Sequence, residues 1–130
     1  MQDVSSWKVL IVDDEPDNIG VVKLVMEFYD AAVLTAASGQ ACLETLEDEI
    51  PTLMLIDIQM PGMSGFDLLR KMREREAWRH IPVIAVTAHT MHGDRERILN
   101  AGFDGYIGKP ISAMTLVDDL TRIMDAREKR

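Results

Sequence analysis

The sequence predicts an α/β fold: a doubly wound, five-stranded parallel sheet with five helices on its two faces. Three observations predict it. Short apolar, β-branched runs alternate with segments whose apolar residues recur at helical spacing. The connections are short, and alternation of this kind specifies parallel strands joined by right-handed crossovers. The length of 130 residues suits one domain with a hydrophobic core of its own.

The first element, Lys8-Val9-Leu10-Ile11-Val12, reads as a buried strand. It runs into three acids, Asp13, Asp14 and Glu15, and then Pro16. Proline suits the first turn of a helix, and acids suit the positive end of its dipole. Ile19, Val22, Val25, Met26 and Tyr29 then form the inner face of a helix over Asp17 to Tyr29. Ala32 to Ala36 is a second, weaker strand. Ser38 caps a helix over Gly39 to Glu49, with Leu43 and Leu46 facing inward and Pro51 interrupting it. Leu53-Met54-Leu55-Ile56 is the apolar run of a fully buried strand, and it ends on a single carboxylate, Asp57, above a loop dense in Pro and Gly.

Ser64 stands three residues before Asp67, a near match to a capping box. The helix it opens runs to about Arg75 and buries Phe66, Leu69 and Met72. Pro82 to Thr87 is the fourth strand, with proline at its first residue where no ladder donor is needed. A polar segment, Ala88 to Gly93, leads to a helix over Asp94 to Ala101, closed by Gly102. Gly105 to Gly108 is the fifth strand. Ser112 caps a last helix with Leu116, Leu120, Ile123 and Met124 on one face, and the charged tail Arg127 to Arg130 frays. The expected domain spans 1–130 with its core from about residue 7 to about residue 126, with no output domain after the last helix.

Composition narrows the function. The formal net charge of −8 argues against direct contact with nucleic acid or an anionic membrane and fits a domain that meets protein partners. The one cysteine, Cys42, excludes an internal disulfide and reads as a small core residue. No apolar run approaches a membrane span, and Met1 to Ser6 lacks the basic and apolar regions of a signal peptide, so a cytoplasmic location is expected. Three histidines with no Cys/His spacing argue against a zinc site. His80 and His92 read as surface residues.

Function is concentrated at the C-terminal ends of the strands, where open α/β sheets collect ligands. The first strand delivers Asp13 and Asp14, the third Asp57, the fourth Thr87 and the fifth Lys109. Each alone has a bland reading: acids at a helix N-terminus, a turn residue, a strand threonine, a solvated lysine. Together they describe a cleft. If the first and third strands are adjacent, three carboxylates meet, and their repulsion calls for a cation. Hard oxygen ligands beside water suit Mg²⁺. Thr87 and Lys109 complete a site for a phosphoryl group, one as hydrogen-bond donor and the other as counter-charge.

Val-Asp13-Asp14-Glu, Asp57-Ile-Gln-Met-Pro61-Gly-Met-Ser-Gly65, Thr87-Ala88 and Tyr106-Ile-Gly-Lys109-Pro110 stand in an order that resembles the receiver domain of bacterial two-component response regulators. The resemblance covers essentially the whole chain, and the motifs are specific in combination. It implies strand order 2-1-3-4-5, the flavodoxin-like arrangement. It implies that Asp57 accepts a phosphoryl group from a phosphohistidine on a sensor histidine kinase or histidine phosphotransfer protein. Asp14, Asp57 and the Gln59 backbone carbonyl would ligate Mg²⁺, with Asp13 acting through water. Thr87 and Tyr106 would be the switch residues, acting on a downstream protein target through the fourth helix, fifth strand and fifth helix, as a monomer or a phosphorylation-linked dimer. The Lys109-Pro110 bond would be cis. Gln59 and His89, each two residues beyond a site residue, would flank the acyl phosphate and tune its hydrolysis; a solvated loop is the other reading of His89.

Three rival functions are weaker. A haloacid-dehalogenase type of enzyme also uses an aspartate nucleophile, but needs a second aspartate where Gln59 stands and places the nucleophile on the first strand. An unphosphorylated scaffold of the same fold usually lacks an acid or the lysine, and none is missing here. A flavodoxin-like nucleotide binder would need a Gly-rich loop after the first strand, and there is none.

Overall fold

In the computed structural model, residues 2–88 and 93–129 are described in full, with the backbone of His92. The strands are β1 (Lys8–Val12), β2 (Ala32–Ala36), β3 (Leu53–Asp57), β4 (Val83–Thr87) and β5 (Gly105–Gly108). The helices are α1 (Pro16–Phe28), α2 (Gly39–Asp48), α3 (Gly65–Arg73), α4 (His92–Ala101) and α5 (Leu116–Glu128). All strand pairs are parallel, in the order β2-β1-β3-β4-β5. The expected fold class and strand order are therefore observed.

The pleat of the strands divides the core in two. Val9, Ile11, Leu53, Leu55, Ile84 and Val86 face one side, where Val22, Val25 and Met26 of α1 and Leu116, Leu120, Ile123 and Met124 of α5 meet them. Leu10, Val12, Met54, Ile56, Val83 and Ala85 face the other, against Cys42 and Leu46 of α2, Leu68, Leu69 and Met72 of α3 and Ile98 of α4. Every residue of β3 is buried, as a central parallel strand covered on both faces requires. Cys42 is fully buried, and burial pushes its thiol up to about 12, consistent with a core residue.

Several local expectations are corrected. Tyr29 lies past the end of α1 and is exposed, because the helix stops at Phe28 and Asp30 turns the chain with a positive φ of 64°. Leu43 faces inward as expected, half-buried against the core; Phe66 also packs on the core but is half-buried rather than buried, and Leu68 joins Leu69 and Met72 as a buried residue of α3. The helix α3 ends at Arg73, before the turn at Glu76–Trp78, and α4 starts at His92. Ser112 does not cap α5: its carbonyl accepts from the Thr115 and Leu116 amides, so a turn intervenes and the helix starts at Leu116. Arg127 does not fray. It lies within α5, donates to the His80 carbonyl at 2.6 Å and pairs with Asp104 at 3.2 Å. Other expectations hold. Ser64 and Asp67 form a complete capping box, Gly102 (φ 111°) closes α4, and His80 is exposed. The Lys109-Pro110 bond is cis.

Candidate functional site

The sheet register builds the site. Val12 stands opposite Ile56, so the next residues outward, Asp13 and Asp57, leave adjacent strands side by side. Asp57 in turn stands opposite Val86, and Thr87 opposite Gly108, one residue short of Lys109. The ladder continues past the strand ends: the Asp13 amide donates to the Ala36 carbonyl, the Ile58 amide to Val86, and the Lys109 amide to Thr87 at 2.8 Å. These bonds fix the backbone at Asp13, next to Asp57 and at Lys109.

The expected residues do converge. Carboxylate oxygens of Asp13, Asp14, Glu15 and Asp57 lie within 4.8 Å of one another. Asp13 and Asp57 are fully buried and Thr87 nearly so, while Asp14 and Glu15 are exposed. Lys109 reaches over the cluster, with its ammonium 3.1 Å from Asp57 Oδ1 and 3.3 Å from Glu15 Oε1. Asp57 Oδ1 also accepts the Gln59 amide at 3.0 Å. Asp57 Oδ2 is buried and takes no hydrogen bond among the described residues. Asp13 is held at both oxygens, by the Glu15 amide at 2.9 Å and by the Asn18 side chain at 3.2 Å.

The electrostatics follow from this crowding. Burial, aided by the Asp57 charge, holds the Asp13 carboxyl above its usual range, although its hydrogen bonds and Lys109 pull the other way. Burial alone would lower Lys109. The hydrogen bond and charge of Asp57, with help from Asp13 and Glu15, outweigh it and raise the ammonium above its usual range. Lys109 is thus firmly protonated, a fixed cation beside a buried carboxylate.

Two contributors escaped the sequence reading. Asn18 is a polar residue on the inner side of the first turn of α1, and it orients Asp13. Glu15 joins the cluster and shares the lysine; its place in the run of three acids was the available signal. Tyr106 is half-buried on β5, with the Arg95 guanidinium 5.9 Å from its ring centroid. A cleft of about 50 Å³ beside the site is lined by Gln59, Phe66, Thr87, Asp94 and Arg97 among others. His89 lies outside the described residues.

The donor set fits a small hard cation. The four gathered acids offer only oxygens, two of the acids are open to solvent, and Asp57 Oδ2 is buried with its lone pairs uncommitted.

Comparison with known proteins agrees with this geometry. Residues 9–121 match the family described as the response regulator receiver domain. The polar-differentiation response regulator DivK of Brucella ovis is 38% identical over 112 residues, which is 86% of this chain and 91% of that protein. Among solved structures, chemotaxis response regulator CheY4 of Vibrio cholerae superposes with a TM-score of 0.85 at 26% identity, covering 91% of this chain and 98% of that one. The receiver domain of a sensor histidine kinase from Pseudomonas aeruginosa, solved with a magnesium ion in its active site cleft, superposes with a TM-score of 0.81 at 30% identity, covering 92% and 98%.

Proposed function

Because this chain belongs to the response regulator receiver domain family, we propose that it is a phospho-accepting switch in which Asp57 takes a phosphoryl group from the phosphohistidine of a sensor histidine kinase or histidine phosphotransfer protein. Receivers of this family are signalling switches. The observation that carries the reading is the buried Asp57 carboxylate, paired with Lys109 at 3.1 Å inside a ring of acids.

The residues divide the work. Asp57 is the nucleophile: a carboxylate oxygen attacks phosphorus in line, the P–N bond of the donor breaks, and its electron pair returns to the imidazole nitrogen. Lys109 holds a positive charge where the phosphoryl oxygens would gather, and Thr87 donates a hydrogen bond to them. Asp14, Asp57 and the Gln59 carbonyl would hold Mg²⁺, with Asp13 assisting through water. The bound ion would supply charge neutralisation for the transferring group. The product is an acyl phosphate that water hydrolyses. Gln59 and His89 set the access of that water; substituting both and finding dephosphorylation unchanged would remove this assignment.

Charge on Asp57 draws Thr87 inward, and Tyr106 turns toward the space it leaves. The surface of α4, β5 and α5 then shifts between two packings, and the downstream partner selects the phosphorylated one. The population shift is bounded by the differential stabilisation that the phosphoryl group supplies. A cytoplasmic location fits such partners; among the described residues no helix is long and apolar enough to cross a membrane.

The test is intact mass after incubation with Mg²⁺ and acetyl phosphate, with Asp57→Asn in parallel. The expected result is a base-labile gain of one phosphoryl group that needs the metal and is absent from the variant. If a panel of histidine kinases also failed to phosphorylate the wild type while Mg²⁺ still bound, a binding scaffold would replace the switch as the reading.

A further inference from the structure

The helix α4 is weakly seated. Among its described residues only Ile98 is buried, and the helix packs chiefly against β5. A second attachment reaches across to α3. The Arg97 guanidinium lies 4.4 Å from the centroid of the Phe66 ring. Phe66 is itself held edge-on by Phe103, with centroids 5.9 Å apart at 81°. The three side chains run from α4 through the start of α3 to Phe103, two residues before β5. Arg97 and Phe66 also line the cleft of about 50 Å³, whose wall includes both Thr87 and Gln59. The Arg97–Phe66 contact thus borders the same small cleft as Thr87.

The geometry points to Arg97 as a positioning residue: its contact with Phe66 clasps α4 in the resting packing and so sets how readily Asp57 is phosphorylated. The inference rests on the phospho-acceptor reading above. The chemistry is specific. Arginine presents a flat cation that stacks on an aromatic face, whereas lysine offers a point charge and methionine none. Four residues separate Thr87 from α4, and Arg97 lies in the middle of that helix; a Thr87 drawn toward a phosphoryl group would shift the helix that the clasp restrains. Releasing the clasp removes a cost of activation. Among the described residues no hydrogen bond, ion pair or ring contact links Arg97 or Phe66 to Asp57, Lys109 or the clustered acids.

The experiment compares wild type with Arg97→Met, Arg97→Lys, Phe66→Leu and the double variant Arg97→Met/Phe66→Leu. Two quantities are read. One is the rate of Asp57 phosphorylation at a series of acetyl phosphate concentrations. The other is amide hydrogen exchange over residues 92–101 in the unphosphorylated protein. Expected is a rise of about two- to fivefold in the limiting rate for Arg97→Met and for Phe66→Leu, the factor an exposed cation–π contact supplies. The donor concentration at half-saturation stays unchanged, the double variant gains no more than either single one, and Arg97→Lys falls between. Exchange over α4 speeds up in the same order. Wild-type rates and exchange in Arg97→Met, or gains that multiply in the double variant, would overturn the clasp while leaving the phospho-acceptor reading intact. A wild type that takes no phosphoryl group would remove that reading instead, and the clasp would stand or fall on exchange alone.

Discussion

Gly65 is the point where the fold and the site depend on the same few atoms. It is the first residue of α3, and its amide donates to the Ile58 carbonyl at 3.0 Å. A Cβ built there would sit 2.8 Å from the Asp57 carbonyl oxygen, 2.9 Å from Ile58 Cα and 3.2 Å from Ile56 Cγ2. The first two are backbone atoms of the strand exit, so no side chain can swing away to relieve the overlap. Gly65→Ala must push α3 off β3 or displace Asp57. Overpacking of this kind costs about 1–3 kcal/mol. For a chain of this size that lowers the melting midpoint by roughly 4–11 °C. Gly20→Ala is the matched control: it lies in the interior of α1, exposed, with nothing within 4 Å of the added methyl. It should gain about 0.5–1 kcal/mol, the helix preference of alanine over glycine. Urea unfolding followed by the fluorescence of Trp7 and Trp78, both buried, measures both variants. Acetyl phosphate labelling reports on Asp57, and Gly65→Ala should label more slowly. A Gly65→Ala protein that unfolds at or above the wild-type midpoint and labels at the wild-type rate would refute the close-approach argument.

Three further outcomes are expected. Lys109→Met strips the counter-charge from a carboxylate that is 1% exposed, and should cost about 3 kcal/mol of stability; the cost should largely vanish in an Asp57→Asn background, and equal costs in the two backgrounds would contradict the pairing. Asp13 binds its proton more tightly folded than unfolded, so without divalent cation its ionisation lowers stability as pH rises from 3.8 through the raised folded value and keeps it lowered at neutrality. Asp13→Asn should therefore unfold at higher urea than wild type at pH 7, with the gap closing toward pH 3.8, and a gap that widens on acidification would reverse the sign. Mg²⁺ at a hundred times its dissociation constant should add about 2.7 kcal/mol to wild-type stability. In thermal melts Asp14→Asn and Asp57→Asn should lose most of that gain, and an undiminished gain in both would place the ion elsewhere.

Much of the architecture was legible because it is written in local periodicity. Leu53 to Ile56 can be apolar on every position only if both faces of that strand are covered, and β3 is buried throughout. Ser64 and Asp67 are three residues apart, so their reciprocal capping bonds are a property of one helical turn and need no distant partner. The strand ends were legible for the same reason: Asp13, Asp57, Thr87 and Lys109 each stand where a short strand-like run gives way to polar or loop residues. The misplaced residues are those whose fate depends on what lies across from them. Phe66 has helical spacing that suits the core and does pack on it through Phe103, but its other face meets the Arg97 guanidinium of α4 and so it stays half-buried. Ser112 has the chemistry of a cap, but the chain takes a further turn before α5 begins, and its carbonyl is used instead of its hydroxyl.

The sequence by itself determined which residues would be strands, helices and strand-end polar groups, because each follows from neighbours within a turn or two. Only the tertiary structure decided their company. The pairing of β1 with both β2 and β3 sets Asp13 against Asp57, and the order of the sheet carries Lys109 to Glu15 across 94 residues of chain. Asn18 became the residue that orients Asp13 only when α1 folded back over β1. Spacing along a chain encodes periodicity, whereas a charge cluster is a set of distances through space, and those distances exist only after burial of the two apolar faces has chosen the register.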